Sequence, residues 1–230
     1  MCGRFTLTAD PPSLRAEFGI EMPEELAPRY NVAPSQPVLS IVSGKAGLKA
    51  ALLNWGLIPF WSRDRSGAHQ RINARAESLE QKSSFREAFA RRRCLIVADG
   101  FFEWQREGKY KQPVLIRRAD GRPFTFAGLW DRWFERPGEP VYTCTIVTTE
   151  ASSLLRPIHD RMPVILEPDE RAIWLNRESS GVDLHALLRP NDTLFEIIPV
   201  SGLVNSPKND TPDVLLPVRY SPPEQLGLLP

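Results

Sequence analysis

The sequence predicts an α+β fold: a single domain over residues 1–230, mainly antiparallel sheet forming a distorted barrel, with a few short peripheral helices. Three observations predict it. The 22 prolines fall between short apolar runs, which favours strands joined by turns because proline gives no amide donor to a helix interior or central strand. Turn signals recur between those runs, at Glu107-Gly108, Ala119-Asp120-Gly121 and Pro137-Gly138. Helix signatures are few and short. With 42% hydrophobic and 25% charged residues, the chain has the composition of a soluble globular protein able to bury a substantial core.

The elements follow in chain order. A helical turn fits Pro12–Phe18, and strands fit Val38–Val42 and Leu48–Trp55. Ser84-Phe85-Arg86-Glu87 has the spacing of a capping box, in which Ser84 accepts from the Glu87 amide and Glu87 reaches back, opening a helix to about Arg92. Arg91-Arg92-Arg93 then reads as a solvated helix end favoured by the macrodipole. Further strands are expected at Cys94–Ala98, Val114–Arg117, Phe124–Leu129, Val141–Thr148, Met162–Leu166 and Leu194–Pro199, with helical turns at Ser152–Arg156 and Leu184–Leu188. A helix starts at Pro168 and carries Ile173, Trp174 and Leu175. There is no internal repeat or low-complexity tract.

Several classes are excluded. No apolar run approaches the ~20 residues of a membrane-spanning helix, and the N-terminal region lacks the basic-then-apolar layout of a signal peptide. The expectation is a cytoplasmic protein with no membrane contact. Cys2, Cys94 and Cys144 form no CxxC pair and are too scattered for a zinc site or a disulfide framework; Cys94 and Cys144 lie in apolar runs and read as core thiols. No spacing among the histidines suggests a metal, and no phosphate loop or GxSxG elbow is present. A net charge of +1 makes no global case for nucleic acid, so such binding would need a local basic patch.

Chemistry concentrates at the start. The chain opens Met1-Cys2-Gly3-Arg4-Phe5, and removal of Met1 would leave an α-amine and a thiol on one residue. These titrate near about 8 and about 8.5, so both hold a nucleophilic fraction at neutral pH. Four other segments place polar residues in apolar surroundings: Arg29-Tyr30-Asn31-Val32-Ala33-Pro34, Ile72-Asn73-Ala74-Arg75-Ala76-Glu77, Asp99-Gly100-Phe101-Phe102-Glu103-Trp104 and His159-Asp160-Arg161-Met162-Pro163. In an extended Ile72–Glu77, Asn73, Arg75 and Glu77 share one face, which taken alone reads first as a solvated surface and second as the polar face of a site. Glu103 between Phe102 and Trp104 would acquire a raised pKa if buried and could move protons near neutrality; on an edge strand it would be a surface carboxylate. Asp99 before Gly100 reads first as a turn residue. His159 sits in the dense polar cluster and is a natural proton shuttle, whereas His69 and His185 read as structural. In Asn54-Trp55-Gly56-Leu57-Ile58-Pro59-Phe60-Trp61, followed by Arg63, Arg65 and Arg71, Trp55 is assigned to packing and Trp61 is kept as a residue that could stack on a base.

Together, MCGRF, RYNVAP, WGLIPFW, INARAES, ADGFFEW, HDRMPV and the Val204–Val218 stretch closely resemble the SRAP family, the SOS-response-associated peptidase domain proteins, over nearly the whole chain and in the family's order. The resemblance implies an abasic-site processing protein whose partner is single-stranded DNA containing abasic sites. It implies a positively charged cleft and a thiazolidine crosslink through Cys2 after methionine removal. By motif, Asn73, Glu103 and His159 complete the catalytic set, Arg75 and Arg161 hold phosphates, and Arg4, Asn31 and Thr148 are further DNA contacts. The expectation is a monomer that needs no cofactor. Two other readings use the same nucleophile: an N-terminal-nucleophile amidohydrolase, in which the terminal amine is the base, and a peptidase, as the family's name records. A third is a noncatalytic single-strand binder.

Overall fold

The computed structural model describes residues 2–44, 47–108, 110–135, 138–191 and 195–219. The strands are β1 (Phe5–Leu7), β2 (Arg29–Val32), β3 (Pro37–Gly44), β4 (Gly47–Trp55), β5 (Asn73–Arg75), β6 (Arg93–Ala98) and β7 (Gly100–Glu107). They continue as β8 (Tyr110–Arg118), β9 (Phe124–Phe134), β10 (Pro140–Glu150), β11 (Arg161–Pro163), β12 (Ile165–Leu166) and β13 (Phe195–Pro199). Four short helices accompany them: α1 (Pro11–Phe18), α2 (Arg86–Arg91), α3 (Pro168–Leu175) and α4 (Gly181–Ala186).

Five strands close on themselves. β4, β3, β6 and β9 follow one another as antiparallel neighbours, and β10 completes the circuit by pairing antiparallel with β9 and parallel with β4 at Thr143 and Cys144. This is the distorted barrel that the proline and turn pattern predicted. A second sheet, ordered β13-β8-β7-β1-β2, packs against it. Alternation along the barrel strands sorts two cores. Cys94, Ile96 and Ala98 join the Phe5, Trp55 and Phe126 cluster, while Leu95 and Val97 join the cluster with Phe89 and Trp174 beneath the helices. A strand buried on both faces reads as a continuous apolar run, which is why Cys94–Ala98 of β6 stood out in the sequence, while β9 and β10 bury threonines among their apolar residues.

The expected strands are all present, with one division: Met162–Leu166 splits into β11 and β12. The amide of Val164 donates to Val147 of β10 and its carbonyl accepts from Ala127 of β9, so the chain changes partner at that residue. β1, β2, β5 and β7 were not anticipated as strands: the first three span only three or four residues, too short an alternation to read, and β7 turns polar after Trp104. Pro137 and Leu194 of the expected turn and strand lie outside the described residues.

Two local expectations are corrected. The Ser84 capping box does not form: α2 begins after Phe85 with no side-chain cap, and Glu87 instead pairs with Arg92 at 3.1 Å. Nor is the Arg91–Arg93 run a solvated helix end, since only Arg91 is exposed. Arg93 is buried and donates to the carbonyls of Phe89, Ala90, Trp174 and Asn176. One guanidinium thus satisfies orphan carbonyls at the C-terminal ends of both α2 and α3.

Candidate active site and nucleic-acid interface

Cys2 precedes β1, and β1 lies beside β7 with Phe5 opposite Phe101. The Phe102 amide donates to the Arg4 carbonyl at 3.0 Å, so the first residues run alongside the strand that carries Glu103. From the other side β5 approaches through its parallel pairing with β10, with Ile146 opposite Asn73. The Asn73 amide group donates to the Cys2 carbonyl at 2.9 Å. Cys2 is fully buried, and its thiol contacts the Arg4 carbonyl at 3.7 Å. Burial first, and the Glu103 carboxylate second, push the Cys2 thiol well above its ordinary pKa.

Glu103 is buried, and desolvation raises its carboxyl above the usual range. His159 follows the turn after β10. Its Nδ1 accepts from the Arg161 amide at 2.9 Å and lies 2.7 Å from an Asp160 carboxylate oxygen. Burial lowers the His159 pKa against the pull of Asp160, and the neutral ring is the form at pH 7. Glu103 and His159 line one cleft of about 550 Å³, together with Trp104, Arg106, Lys111, Ile158 and Asn205.

The structure therefore brings together Cys2, Asn73, Glu103 and His159, the four residues carried over as catalytic. It sorts the expected DNA contacts differently. Arg75 is exposed at the end of β5 and has no ion pair among the described residues. Arg161 is held by a bidentate pair with Glu77 at 2.7 and 2.9 Å and by the Thr148 carbonyl at 2.7 Å, which ties β11 to the end of β5. Thr148 is fully buried between Arg75 and Pro163 in register, and its hydroxyl has no hydrogen-bond partner among the described residues.

Arg4 and Asn31 face inward. Arg4 donates to Asn31 Oδ1 and to the carbonyls of Val204 and Asn205, while the Asn31 side-chain amide donates to the carbonyls of Val204, Ser206 and Asn209. With Asn31 fully buried, the pair clasps the late 202–210 segment, and no surface of Asn31 is left for a ligand. Asp99 likewise accepts from the Thr8 hydroxyl and the Ala9 amide and staples the chain after β1. Trp55 is core, its ring centroid 5.3 Å from that of Phe5. Trp61 is 51% exposed, on a loop fastened to β9 by the Trp133 indole bonding to the Ser62 carbonyl. Arg65 pairs with Glu135, and Arg71 donates to the Leu57 carbonyl.

Sequence reasoning missed Trp104, Arg106 and Lys111 as cleft residues. One signal was available only once the hairpin was known: Arg106 stands directly opposite Lys111 in the β7–β8 register. Like charges facing each other across strands are unfavourable, and their placement at a cleft mouth supplies the local basic patch that the net charge could not reveal. Among the described residues, no His, Cys, Asp and Glu cluster could hold a metal. No helix there is long and apolar enough to cross a membrane.

A family model described as SOS response associated peptidase (SRAP) matches residues 1–207. The abasic site processing protein YoqW of Bacillus subtilis is 45% identical over 221 residues, covering 94% of this chain and 99% of that protein. The abasic site processing protein YedK of Escherichia coli is 35% identical over 227 residues, covering 95% and 100% respectively. The abasic site processing protein HMCES of Gallus gallus is 35% identical over 233 residues, covering 86% and 69%. Among solved structures, an X-ray structure of a protein from Bacteroides thetaiotaomicron superposes with a TM-score of 0.86 at 30% identity, covering 94% of this chain and all of that one.

Proposed function

From the premise that this chain belongs to the SRAP family, we propose that it recognises abasic sites in single-stranded DNA and captures them covalently through Cys2 once Met1 is removed. The observation that carries the reading is the convergence on the chain's beginning: Asn73 holds the Cys2 carbonyl while Glu103 and His159 line the adjoining cleft. The curated relatives are named for abasic-site processing, and the same substrate is proposed here.

The chemistry runs in two bond-forming steps. The Cys2 amine attacks C1 of the ring-opened deoxyribose to give a carbinolamine, and loss of water gives a Schiff base. The Cys2 sulfur then adds to the imine carbon while the thiol proton passes to nitrogen, closing a five-membered thiazolidine; one water is released overall. Because burial and Glu103 disfavour a free thiolate, the sulfur adds as a thiol whose proton is removed as the bond forms. Glu103, with its raised pKa, accepts and returns that proton and promotes ring opening. His159, neutral at rest, takes a proton from the sugar hydroxyl or the attacking amine and, as the imidazolium, returns it to the ring oxygen or the departing carbinolamine hydroxyl. Asn73 fixes the terminus at the attack distance. Arg75, Arg106 and Lys111 contact phosphates beside the lesion, and Trp104 offers a ring to the neighbouring base. A single strand already exposes the sugar, so no base-flipping cost of a few kcal/mol arises and sequence preference is low.

The test is a denaturing gel of protein lacking Met1, mixed with a single strand bearing one abasic site, beside Cys2→Ala and protein retaining Met1. A heat-stable shifted band in the first lane alone is the expected result. No band despite confirmed methionine removal overturns the proposal, and ammonia release from glutamine would then be assayed.

A further inference from the structure

Strands of a closed barrel must end somewhere, and the far end of this one is open. Val42 of β3 stands opposite both Lys49 of β4 and Cys94 of β6, while Arg132 of β9 stands opposite Tyr142 of β10. These strand ends surround a cavity of about 790 Å³ whose deeper wall includes Val42, Leu53 and Trp130. Tyr142 lies four residues along β10 from Ile146, the residue opposite Asn73, about 13 Å at ~3.3 Å per residue. The mouth shares no lining residue with the Cys2 cleft, and barrel mouths of this volume are common ligand sites.

Its lining combines two features. Aromatic rings stand in solvent there: Phe60 is 50%, Phe134 48% and Tyr142 40% exposed. Arg92 lies over the Phe60 ring at 5.6 Å and Arg132 over Phe134 at 5.0 Å, and Trp130 flanks Tyr142 at 6.2 Å. The second feature is charge. Five cations line the mouth against two carboxylates, Glu87 and Asp131, and Arg92 pairs with both of those at 3.1 Å. Lys49, Arg91, Arg132 and Arg177 are exposed and form no ion pair among the described residues. In a chain of net charge +1 this is a marked local excess.

Exposed rings interleaved with uncompensated arginines match a flat aromatic body carrying a phosphate. We propose that the barrel mouth is a second site that binds a nucleotide, with the base against the Tyr142–Phe134 wall and the phosphate among Arg132, Arg177 and Lys49. A free mononucleotide and one residue of a longer strand share this chemistry. The proposal does not depend on Cys2, so the two readings fail separately.

The full chain carrying Cys2→Ala is titrated with deoxyadenosine 5′-monophosphate, deoxyadenosine and inorganic phosphate, following tryptophan fluorescence and amide chemical shifts. Saturable nucleotide binding is expected, stronger than for either fragment. It weakens roughly tenfold in Tyr142→Ala and at least as much in Arg132→Glu with Arg177→Glu. Tyr142→Phe, which keeps the ring, retains it. In the native Cys2 background the same variants crosslink abasic strands normally at saturating DNA. Hexathymidylate binding no tighter than the mononucleotide identifies a free nucleotide as the ligand; a gain lost in the charge-reversed variant identifies a strand, and either supports the site. Four results overturn it: no saturable binding, phosphate binding as tightly as nucleotide, nucleotide binding unchanged in folded variants, or shifts at the mouth caused by a glutamate-rich peptide and not by nucleotide.

Discussion

A buried carboxylate beside a buried thiol is a costly arrangement, and Glu103 makes the cost measurable. Its folded pKa is raised by burial, so folding disfavours its ionised form. The associated stability is fully present below the unfolded carboxyl value of about 4.3 and is lost as pH rises through the folded pKa. Glu103→Gln should therefore unfold at a higher temperature than the parent at pH 7 to 8, with the gap closing near pH 4, while crosslinking slows roughly a hundredfold. Thermal melts across that pH range and timed crosslinking gels read both; a gap independent of pH would sink the argument. Asn73→Ala removes the bond to the Cys2 carbonyl and should slow crosslinking roughly ten- to a hundredfold through misplacement of the terminus, leaving affinity for an intact strand unchanged. A loss of affinity as large as the loss of rate would assign Asn73 to binding instead. At this scale Cys2 was legible from its place behind Met1, and Asn73, Glu103 and His159 from polar clusters and the family motifs that carry them. Arg4 and Asn31 were not, since their partners are backbone carbonyls of Val204 to Asn209, far along the chain and carrying no side-chain signal.

At the level of elements, the doubly buried strands wrote themselves plainly into the sequence, and the strands that build the site did not. β1, β2 and β5 alternate over only three or four residues, and β7 opens on Gly100 and turns polar after Trp104, so Asn31, Asn73 and Glu103 stood out as polar residues without a strand long enough to read around them. Those polar residues signalled chemistry, while the brevity of the strands concealed the elements that present it. The α2 region failed for another reason: local spacing offered Ser84 as a cap, but the helix is secured by Arg93 bonding to carbonyls of both α2 and α3, a tertiary arrangement that a local pattern cannot encode. Arg93→Met should accordingly lower stability by about 2–4 kcal/mol, because it orphans buried carbonyls at two helix ends. Urea midpoints measure this, and crosslinking per folded molecule should be unaffected. A change below roughly 0.5 kcal/mol, the usual range for a surface substitution, would mean that the two helix ends are satisfied without Arg93.

For the whole molecule, a net charge of +1 over 230 residues leaves no general attraction to a polyanion, so affinity for a strand must come from where the cations stand and whether anything already neutralises them. Arg106 and Lys111 face one another at the cleft, and Arg75 stands exposed at the end of β5. Arg161 is paired with Glu77, and Arg4 donates to internal carbonyls. Counterion release depends on cations that meet phosphates, at about 0.7 of a unit in the salt slope for each contact to a single strand. Arg75→Ala, Arg106→Ala and Lys111→Ala should therefore each flatten the dependence of log K on log salt by about that amount, roughly equally for every strand sequence. Arg4→Ala and Arg161→Ala should leave the slope alone and lower the unfolding temperature, because what they lose is a clasp and an inter-strand tie. Binding isotherms on intact strands at several salt concentrations, with a melt for each variant, separate the two groups. If Arg161→Ala flattens the slope as much as Arg75→Ala does, the Glu77 pair opens when DNA arrives, and Arg161 then exchanges a carboxylate for a phosphate.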